Sequence, residues 1–408
     1  MPDTALTIET LGVGGSTAEA ELDRLTDMLA GSQPISEAEY RERIAGLQAR
    51  MQRSGHDVVY LDASSNLTYY TGTYWPNSER LVGALVPAQG DPVYVGPAFE
   101  TGTIREYMGI KGELAVWDEH EDPYALIATL IGETSALALD PATPLFRVTG
   151  LSRARPGALT VDGSEEILHG RARKSAAEIA LLQAAKTATL EVHKAAARIL
   201  RPGISTQEVT AFIHEAHKRI GAPRGSSFCI VLFGPDTAFP HGVARPKTLE
   251  IGDMVLIDTG CSNHGYQSDI TRSYVFGTPT PEQRRVWDAE KACQAAAFDA
   301  AQLGTLCGAV DTAARRKNEE LGFGPDYALP GIPHRTGHGI GLDIHEAPYL
   351  VASDMTPLDV GMCFSNEPMI CVPGQFGIRL EDHFYMSEDG PRWFTQPSKS
   401  IEDPFGLA

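Results

Sequence analysis

The sequence predicts a two-domain chain: a small N-terminal α/β domain, then a larger α+β domain that carries the chemistry. Three observations lead there. A length of 408 residues exceeds what one hydrophobic core usually serves. Short helix and strand signals alternate over roughly 120 residues, the scale of one compact α/β unit. Beyond them come longer helices in pairs, each pair followed by strands, and the acidic and histidine residues suited to catalysis lie among those later strands.

In chain order, the first thirty or so residues are polar and punctuated by Gly and Ser (GVGGSTAEAE, then AGSQP), and residues 1–35 read as a loosely held arm. Ser36 with Glu39 makes a capping box; Tyr40, Ile44, Leu47 and Met51 follow at helical spacing, and Gly55 stops the helix. The β-rich runs VVYLD, RLVGALV and PVYVG come next, with a Pro-started helix after Asp122 and a last strand, LALD, near residue 140. Residues 36–160 form the first domain, and the Pro/Gly-punctuated stretch 150–170 reads as a linker. The second domain is 165–408. Ser175 and Glu178 cap a helix that places Ile179, Leu182, Ala185, Val192, Ala196 and Ile199 on one face, and Arg201-Pro202-Gly203 breaks it. Ser205 and Glu208 cap the next, which Gly221 ends. Strands SFCIVLF and DMVLID follow; Thr280-Pro281 opens a third helix, a fourth precedes Gly322, and MCFSNE and GIRLEDHFYM close the chain. Two helices and then strands, twice over, suggests a duplicated unit, although the halves share little sequence.

Composition excludes several functions. Hydrophobic content of 42% and charged content of 21% are those of an ordinary globular protein. A formal charge of -19 and the lack of any basic run speak against nucleic acid and against a membrane surface. The start, MPDTALTIET, lacks the charged and apolar regions of a signal peptide, and no apolar run reaches the ~20 residues of a membrane span. The six cysteines are scattered with no CxxC pair, as reduced buried thiols are. A cytoplasmic protein is expected.

Three groups of residues could carry chemistry. Asp258 ends the strand MVLID, and Asp269 begins the return run DITRSYVF, with Gly260 and Gly265 suited to the turn between them. Side by side, two carboxylates repel unless a cation lies between them or one stays protonated. The plainer reading makes Asp258 a turn or cap residue and pairs Asp269 with Arg272. The second group, PHRTGHGIGLDIHEAP, holds His334, His338 and His345. Its Gly337, Gly339 and Gly341 rule against a zinc-binding helix and favour a loop or strand that brings backbone close to something. The third is Glu367, which ends CFSNE, with Glu381 in GIRLED: carboxylates in runs otherwise apolar, where an unpaired charge is costly. Here the plainer reading is a surface ladder of Arg379 with Glu381, two residues apart on one strand face.

Four carboxylates and one imidazole suit hard or borderline ions: manganese first, with cobalt, zinc or iron as alternatives. Five such ligands, two of them bridging, can hold two divalent metal ions roughly 3.5–4 Å apart, lowering the pKa of a bound water and polarising a carbonyl.

The order and spacing of Asp258, Asp269, His338, Glu367 and Glu381 resemble the proline-specific metallopeptidases of the pita-bread fold, the prolidase and aminopeptidase P group of family M24. IDTGCSNHGYQSDITRS, HGIGLDIHE, NEP and GIRLEDH match its motif blocks, RKSAAEIALLQAA its first catalytic-domain helix, and NLTYYTG its smaller creatinase-like N-terminal domain. The resemblance implies that Asp258 chelates one ion, that Asp269 and Glu381 bridge both, and that His338 and Glu367 complete the other. It implies that Glu367 carries a proton from a bridging hydroxide to the leaving prolyl nitrogen. His241 would contact the scissile carbonyl, His345 steady the tetrahedral intermediate, His334 stand by the proline pocket, and Arg379 support the bridging Glu. Relatives are commonly homodimers, and Trp75 and Arg80 are candidates for the active-site rim, or equally a core aromatic and a surface cation.

The sequence departs from the family at Cys371, where a tyrosine is usual, which bears on rate and substrate preference rather than on metal binding. The stretch from Glu367 to Glu381 is short, as in compact prolidases. The leading expectation is therefore hydrolysis of a proline-containing dipeptide, with aminopeptidase P activity on a longer peptide as the near rival. A non-peptide C–N hydrolase of the creatinase or ectoine-hydrolase kind, and a binding module without catalysis, are the further alternatives. The full ligand set speaks against both.

Overall fold

The computed structural model describes residues 9–132 and 136–408; the first eight residues of the predicted arm lie outside them. The chain forms two compact units, Ile35–Arg171 and a second that joins Ala172–Ala408 to the N-terminal segment ending at Pro34.

The unit Ile35–Arg171 is built on a six-stranded sheet. Its strands are β1 (Val58–Asp62), β2 (Gly83–Pro87), β3 (Val93–Pro97), β4 (Glu113–Trp117), β5 (Leu137–Leu139) and β6 (Thr160–Asp162), ordered β4-β3-β2-β1-β5-β6. All five residues of β1 are buried, as the apolar run VVYLD requires of a central strand. Tyr60, Leu85, Val95, Trp117, Ile127 and Leu151 form the core. Helix Glu37–Ser54 starts where Ser36 Oγ accepts from Glu39 N at 3.2 Å, and stops at Gly55 with φ 73°. The stretch 150–170 is not a linker: β6 adds an edge parallel to β5, and helices Leu145–Ala154 and Ser164–Ala172 bury Leu151 and Ile167. Its Pro156-Gly157 marks a turn inside the unit. Arg80 pairs with Glu119 and Glu79, and Trp75 packs edge-on against Tyr107.

In the other unit the N-terminal segment is held rather than loose, because its backbone groups find partners. Leu11 N donates to Glu402 O at 2.7 Å, Gly14 N to Ala197 O at 2.9 Å, and buried Glu21 pairs with Arg198 at 2.7 Å. Helices Ala176–Arg198 and Thr206–Arg219 begin in complete capping boxes, Ser175–Glu178 and Ser205–Glu208. They pack on a sheet of β7 (Ser226–Phe233), β8 (Met254–Asn263) and β10 (Ile270–Val275), with the short β9 (Tyr266–Gln267) paired to β8. Helices Pro281–Ala300, boxed by Thr280 and Gln283, and Cys307–Glu320 then pack on a second antiparallel sheet. It contains β11 (Gly337–Gly339), β12 (Glu346–Leu350), β13 (Cys363–Asn366), β16 (Asp382–Ser387) and β17 (Gly390–Trp393), ordered β12-β11-β13-β16-β17; β14 (Met369–Val372) and β15 (Phe376–Arg379) form a separate hairpin. Two helices on an antiparallel sheet thus occur twice, the α+β duplication expected from the sequence.

Strand alternation decides which side chains leave the helical layer. On β8, Val255, Ile257 and Cys261 join the helices' core, while Leu256 turns the other way, to Leu232, Met369 and Cys371. Asp258 shares the face of Leu256. The turn after β8 is made by His264 and Gly265, both with positive φ, the tight-hairpin geometry. Gly260 is not in that turn, contrary to expectation. It lies inside β8, where a Cβ would come within 1.8 Å of Ser268 O.

Two core histidines make the unit sensitive to acid. His193, with Nε2 2.9 Å from Ile270 O, and His217, with Nδ1 2.9 Å from Ser226 Oγ, are each pushed down to about 3, chiefly by burial. Unfolded, both would titrate near ~6.5. Between pH ~6.5 and about 3 the unfolded chain therefore binds more protons, and stability falls as the pH is lowered through that window. Each histidine contributes a slope of up to about 1.4 kcal/mol per pH unit. Urea unfolding of a His217→Gln variant should show a slope shallower by roughly that amount between pH 5 and 4. An unchanged slope would contradict the assignment.

Candidate metal centre

Each half contributes side chains to one site. Asp258 comes from β8 and lies opposite Ile230 of β7 and Thr271 of β10 in register. Asp269 immediately precedes β10. The second half is drawn to that edge by an isolated bridge between Thr271 and Glu381, in which Glu381 N donates to Thr271 O at 3.1 Å. Ser273 Oγ extends the seam, donating to Arg379 O at 2.9 Å. His338 lies on β11, which the flanking glycines allow to pack closely. A Cβ on Gly337 would come within 2.1 Å of Ser365 O, and one on Gly339 within 2.4 Å of Glu346 O. Glu367 follows β13 and is fixed by its N–H to Thr336 O at 2.9 Å.

The five residues predicted as ligands are brought together, almost wholly buried, with donor atoms left unsatisfied. Asp258 Oδ1, Asp269 Oδ1, Glu381 Oε1 and His338 Nε2 have no hydrogen-bond partner. His338 Nδ1 donates to Gly339 O at 3.0 Å, which turns its Nε2 to the carboxylates, 3.0 Å from Glu367 Oε1 and 3.7 Å from Asp269 Oδ2. Ligating atoms lie within 4.8 Å of one another in three groups: Asp269, His338 and His345; Asp269, Glu381 and His383; and His338, Glu367 and Glu381. Asp258 stands outside these groups, with Oδ2 accepting from Arg379.

Electrostatics favours a cation here. Burial pushes Asp258 up, and burial together with neighbouring carboxylates pushes Asp269 and Glu381 well up, because so many anions cannot share a dry site. Glu367 differs: burial raises it, but His338, Arg379 and His334 outweigh burial and hold it well below the usual carboxylate range. A buried cluster of lone pairs with so few protons among them fits divalent ions, whose charge would let all four carboxylates ionise.

Neither plainer reading of the pairs holds. Arg272 pairs with Asp382 at 2.7 Å, not with Asp269, and Arg379 is buried, donating to Asp258, to Thr271 Oγ1 at 2.9 Å and to Pro240 O at 3.2 Å. Thr271 in turn donates to Glu381 Oε2 at 2.7 Å, so Arg379 supports Glu381 through a hydroxyl. A cavity of about 270 Å³ opens on the cluster, lined by Phe228, Ile230, His241, Ile344 and His345 besides Asp258, Asp269, Glu367, Arg379 and Glu381. His345 is exposed, its ring centroid 4.0 Å from that of His338, and burial with the His338 charge lowers it to about 4, so it is neutral at pH 7. His334 does not line the cavity; its Nδ1 donates to Arg335 O at 2.7 Å and its Nε2 is unpartnered. Cys371 sits in the small apolar cluster with Leu232 and Leu256, and burial pushes its thiol up to about 12.

Sequence reasoning missed Thr271, Ser365 and His383. Ser365 Oγ donates to Glu367 Oε1 at 3.0 Å and accepts from His338 N at 2.9 Å. Each of the three lies two residues from a predicted ligand, on the same side of an extended chain, and that period was the available signal.

Residues 180–388 match metallopeptidase family M24, and residues 43–173 match the creatinase/prolidase N-terminal domain. The chain belongs to metallopeptidase family M24. Its pita-bread domain and creatinase-like domain are therefore those the sequence led us to expect, and it is a hydrolase of a family that uses divalent metals. An Xaa-Pro dipeptidase of Lactobacillus delbrueckii subsp. lactis is 30% identical over 87% of this chain and 97% of its own length. The dipeptidase PepE of Mycobacterium ulcerans superposes with a TM-score of 0.83 at 34% identity, over 89% of this chain and 97% of its own. A prolidase from Thermococcus sibiricus gives 0.79 at 29%, over 88% and 97%. Among the described residues, no helix is long and apolar enough to cross a membrane.

Proposed function

We propose that this M24 enzyme hydrolyses the Xaa-Pro bond of dipeptides at a centre of two divalent ions held by Asp258, Asp269, His338, Glu367 and Glu381. The observation that carries the reading is the set of buried carboxylates lining one small cavity, with unpartnered oxygens on Asp258, Asp269 and Glu381, and the unpartnered His338 Nε2 beside them. Two ions held there would lower the pKa of a shared water and polarise the scissile carbonyl. The remaining work falls to side chains. Glu367, which lines the cavity, can accept the water's proton and pass it to the prolyl nitrogen as the bond breaks. Neutral His345 at the cavity wall can donate to the oxyanion as it develops, and His241 can contact the carbonyl from the same wall. Arg379, through Asp258 and Thr271, acts as a positioning residue.

The cavity lies just below the roughly 300–1,000 Å³ range of ligand sites, which favours a short substrate. Aminopeptidase P activity is the second reading. A neighbouring depression of about 860 Å³ shares Phe228, Ile230 and His241 with the cavity, and could take the rest of a longer peptide. A chelator-controlled comparison of an Xaa-Pro dipeptide with an Xaa-Pro-Yaa tripeptide separates them. The dipeptide should be cleaved at least about tenfold better in kcat/KM, a difference of roughly 1.4 kcal/mol; comparable cleavage of the tripeptide would overturn the dipeptidase reading. The same proposal includes manganese, a homodimer and a cytoplasmic setting, open to test by metal analysis, sedimentation and fractionation.

A further inference from the structure

We propose that His383 is a second imidazole donor to the metal centre, approaching the Asp269–Glu381 seat from the protein interior rather than from the cavity. His383 lies on β16, opposite Ser365 of β13 and two residues after Glu381, so its side chain takes the same side of the strand. It is fully buried; the ring approaches the Asp269 backbone without full hydrogen-bond geometry, and no side chain partners either nitrogen. Leaving a buried polar group unpaired costs about 1–3 kcal/mol, so the nitrogen turned away from that backbone calls for a partner. Its Nε2 is 3.9 Å from Glu381 Oε1, itself unpartnered, and a nitrogen of the ring, Glu381 and Asp269 offer ligand atoms within 4.8 Å of one another.

The chemistry of that triad favours an ion over a hydrogen bond. The carboxylate oxygens are acceptors, and a neutral imidazole offers one proton for three groups. The ring centroids of His338 and His383 are 6.2 Å apart. The two rings approach the shared residues Asp269 and Glu381 in separate ligand groups, His338 with each of them and His383 with both. A seat with two imidazoles suits zinc, cobalt or iron better than manganese, which prefers oxygen. The two seats then differ in character, the one nearer Asp258 being all-oxygen.

This inference rests on the metal-site reading above, and the test separates the two. The full-length protein is stripped, loaded with one equivalent of Co²⁺, and its imidazoles per ion are counted by X-ray absorption. Affinity is measured by competition with a chelating dye. Wild type and His345→Ala should both show two imidazoles, and His383→Phe one, with its first dissociation constant raised at least about tenfold. One imidazole in the wild type overturns the proposal whether or not the variant folds, as does an unchanged count and affinity in His383→Phe. Cobalt bound through one imidazole with Xaa-Pro cleavage intact rejects His383 alone. A folded wild type that binds no cobalt rejects the metal-site reading as well.

Discussion

Replacing Glu381 by Ala is expected to lower kcat/KM at least about a thousandfold and to reduce the bound metal below two ions per chain. The charge stabilisation that a metal pair supplies to an acyl-transfer transition state is worth several kcal/mol, and ~4 kcal/mol corresponds to about a factor of a thousand. Glu381 is the pivot because its two oxygens face different partners. Oε2 accepts from Thr271 Oγ1 at 2.7 Å, while Oε1 is unpartnered within the groups that also contain Asp269, His338, Glu367 and His383. Its removal takes a ligand from two of those groups at once and leaves the Thr271 hydroxyl without its acceptor. The checks are steady-state kinetics on an Xaa-Pro dipeptide and metal content of the dialysed protein. Full activity would mean that the bridging carboxylate has been misassigned. The variant should still fold, because Glu381 is anchored through its backbone to Thr271 and the neighbouring Arg272–Asp382 pair is untouched.

How much of this was legible in the sequence varies with the physical origin of each feature. Helix starts were read well because a capping box is local. Ser175–Glu178 and Ser205–Glu208 announce themselves within four residues and both boxes form; Thr280-Pro281 opens its helix as read, in a box that Gln283 completes. The linker reading of 150–170 failed for a non-local reason. Strand β6 is only three residues, Thr160–Asp162, and is a strand because β5 lies beside it. No period of two can be detected in so short a run. The N-terminal segment misled similarly: its polar, glycine-rich composition resembles a free arm, but its order comes from distant acceptors such as Val275 O and Ala197 O.

The carboxylates proposed as ligands were legible because burying a charge is costly, so Asp or Glu at the end of an apolar strand stands out. Their partners were not. Which of Asp258, Asp269 or Glu381 would take Arg379 depends on the seam between β10 and β15, which sequence spacing does not encode. His383 passed unnoticed for a related reason: an isolated histidine in an apolar strand is ordinarily a satisfied core residue, and only its place beside Asp269 and Glu381 distinguishes it.

Arg379 concentrates these dependencies, and Arg379→Met should be costly in two measurable ways. Its guanidinium holds Asp258 through Nη2, Thr271 Oγ1 through Nε at 2.9 Å and Pro240 O through Nη1 at 3.2 Å. It is almost fully buried, and it is the cation that lowers Asp258, Asp269 and Glu381 against burial. Removing one partner of a buried ion pair typically costs ~3–5 kcal/mol, because the other charge is left uncompensated. The metal-free variant should therefore unfold at markedly lower denaturant. Activity should fall about 10–100-fold, the usual cost of losing a group that orients metal ligands. Metal should restore more stability to the variant than to the wild type, since ions in the same cluster supply positive charge that the arginine no longer provides. Arg379→Lys should rescue little, because an ammonium cannot present the planar fork that serves three acceptors in different directions. Equal stability of wild type and Arg379→Met without metal would show that Asp258 is compensated by some other group, and full rescue by lysine would show that only the charge matters.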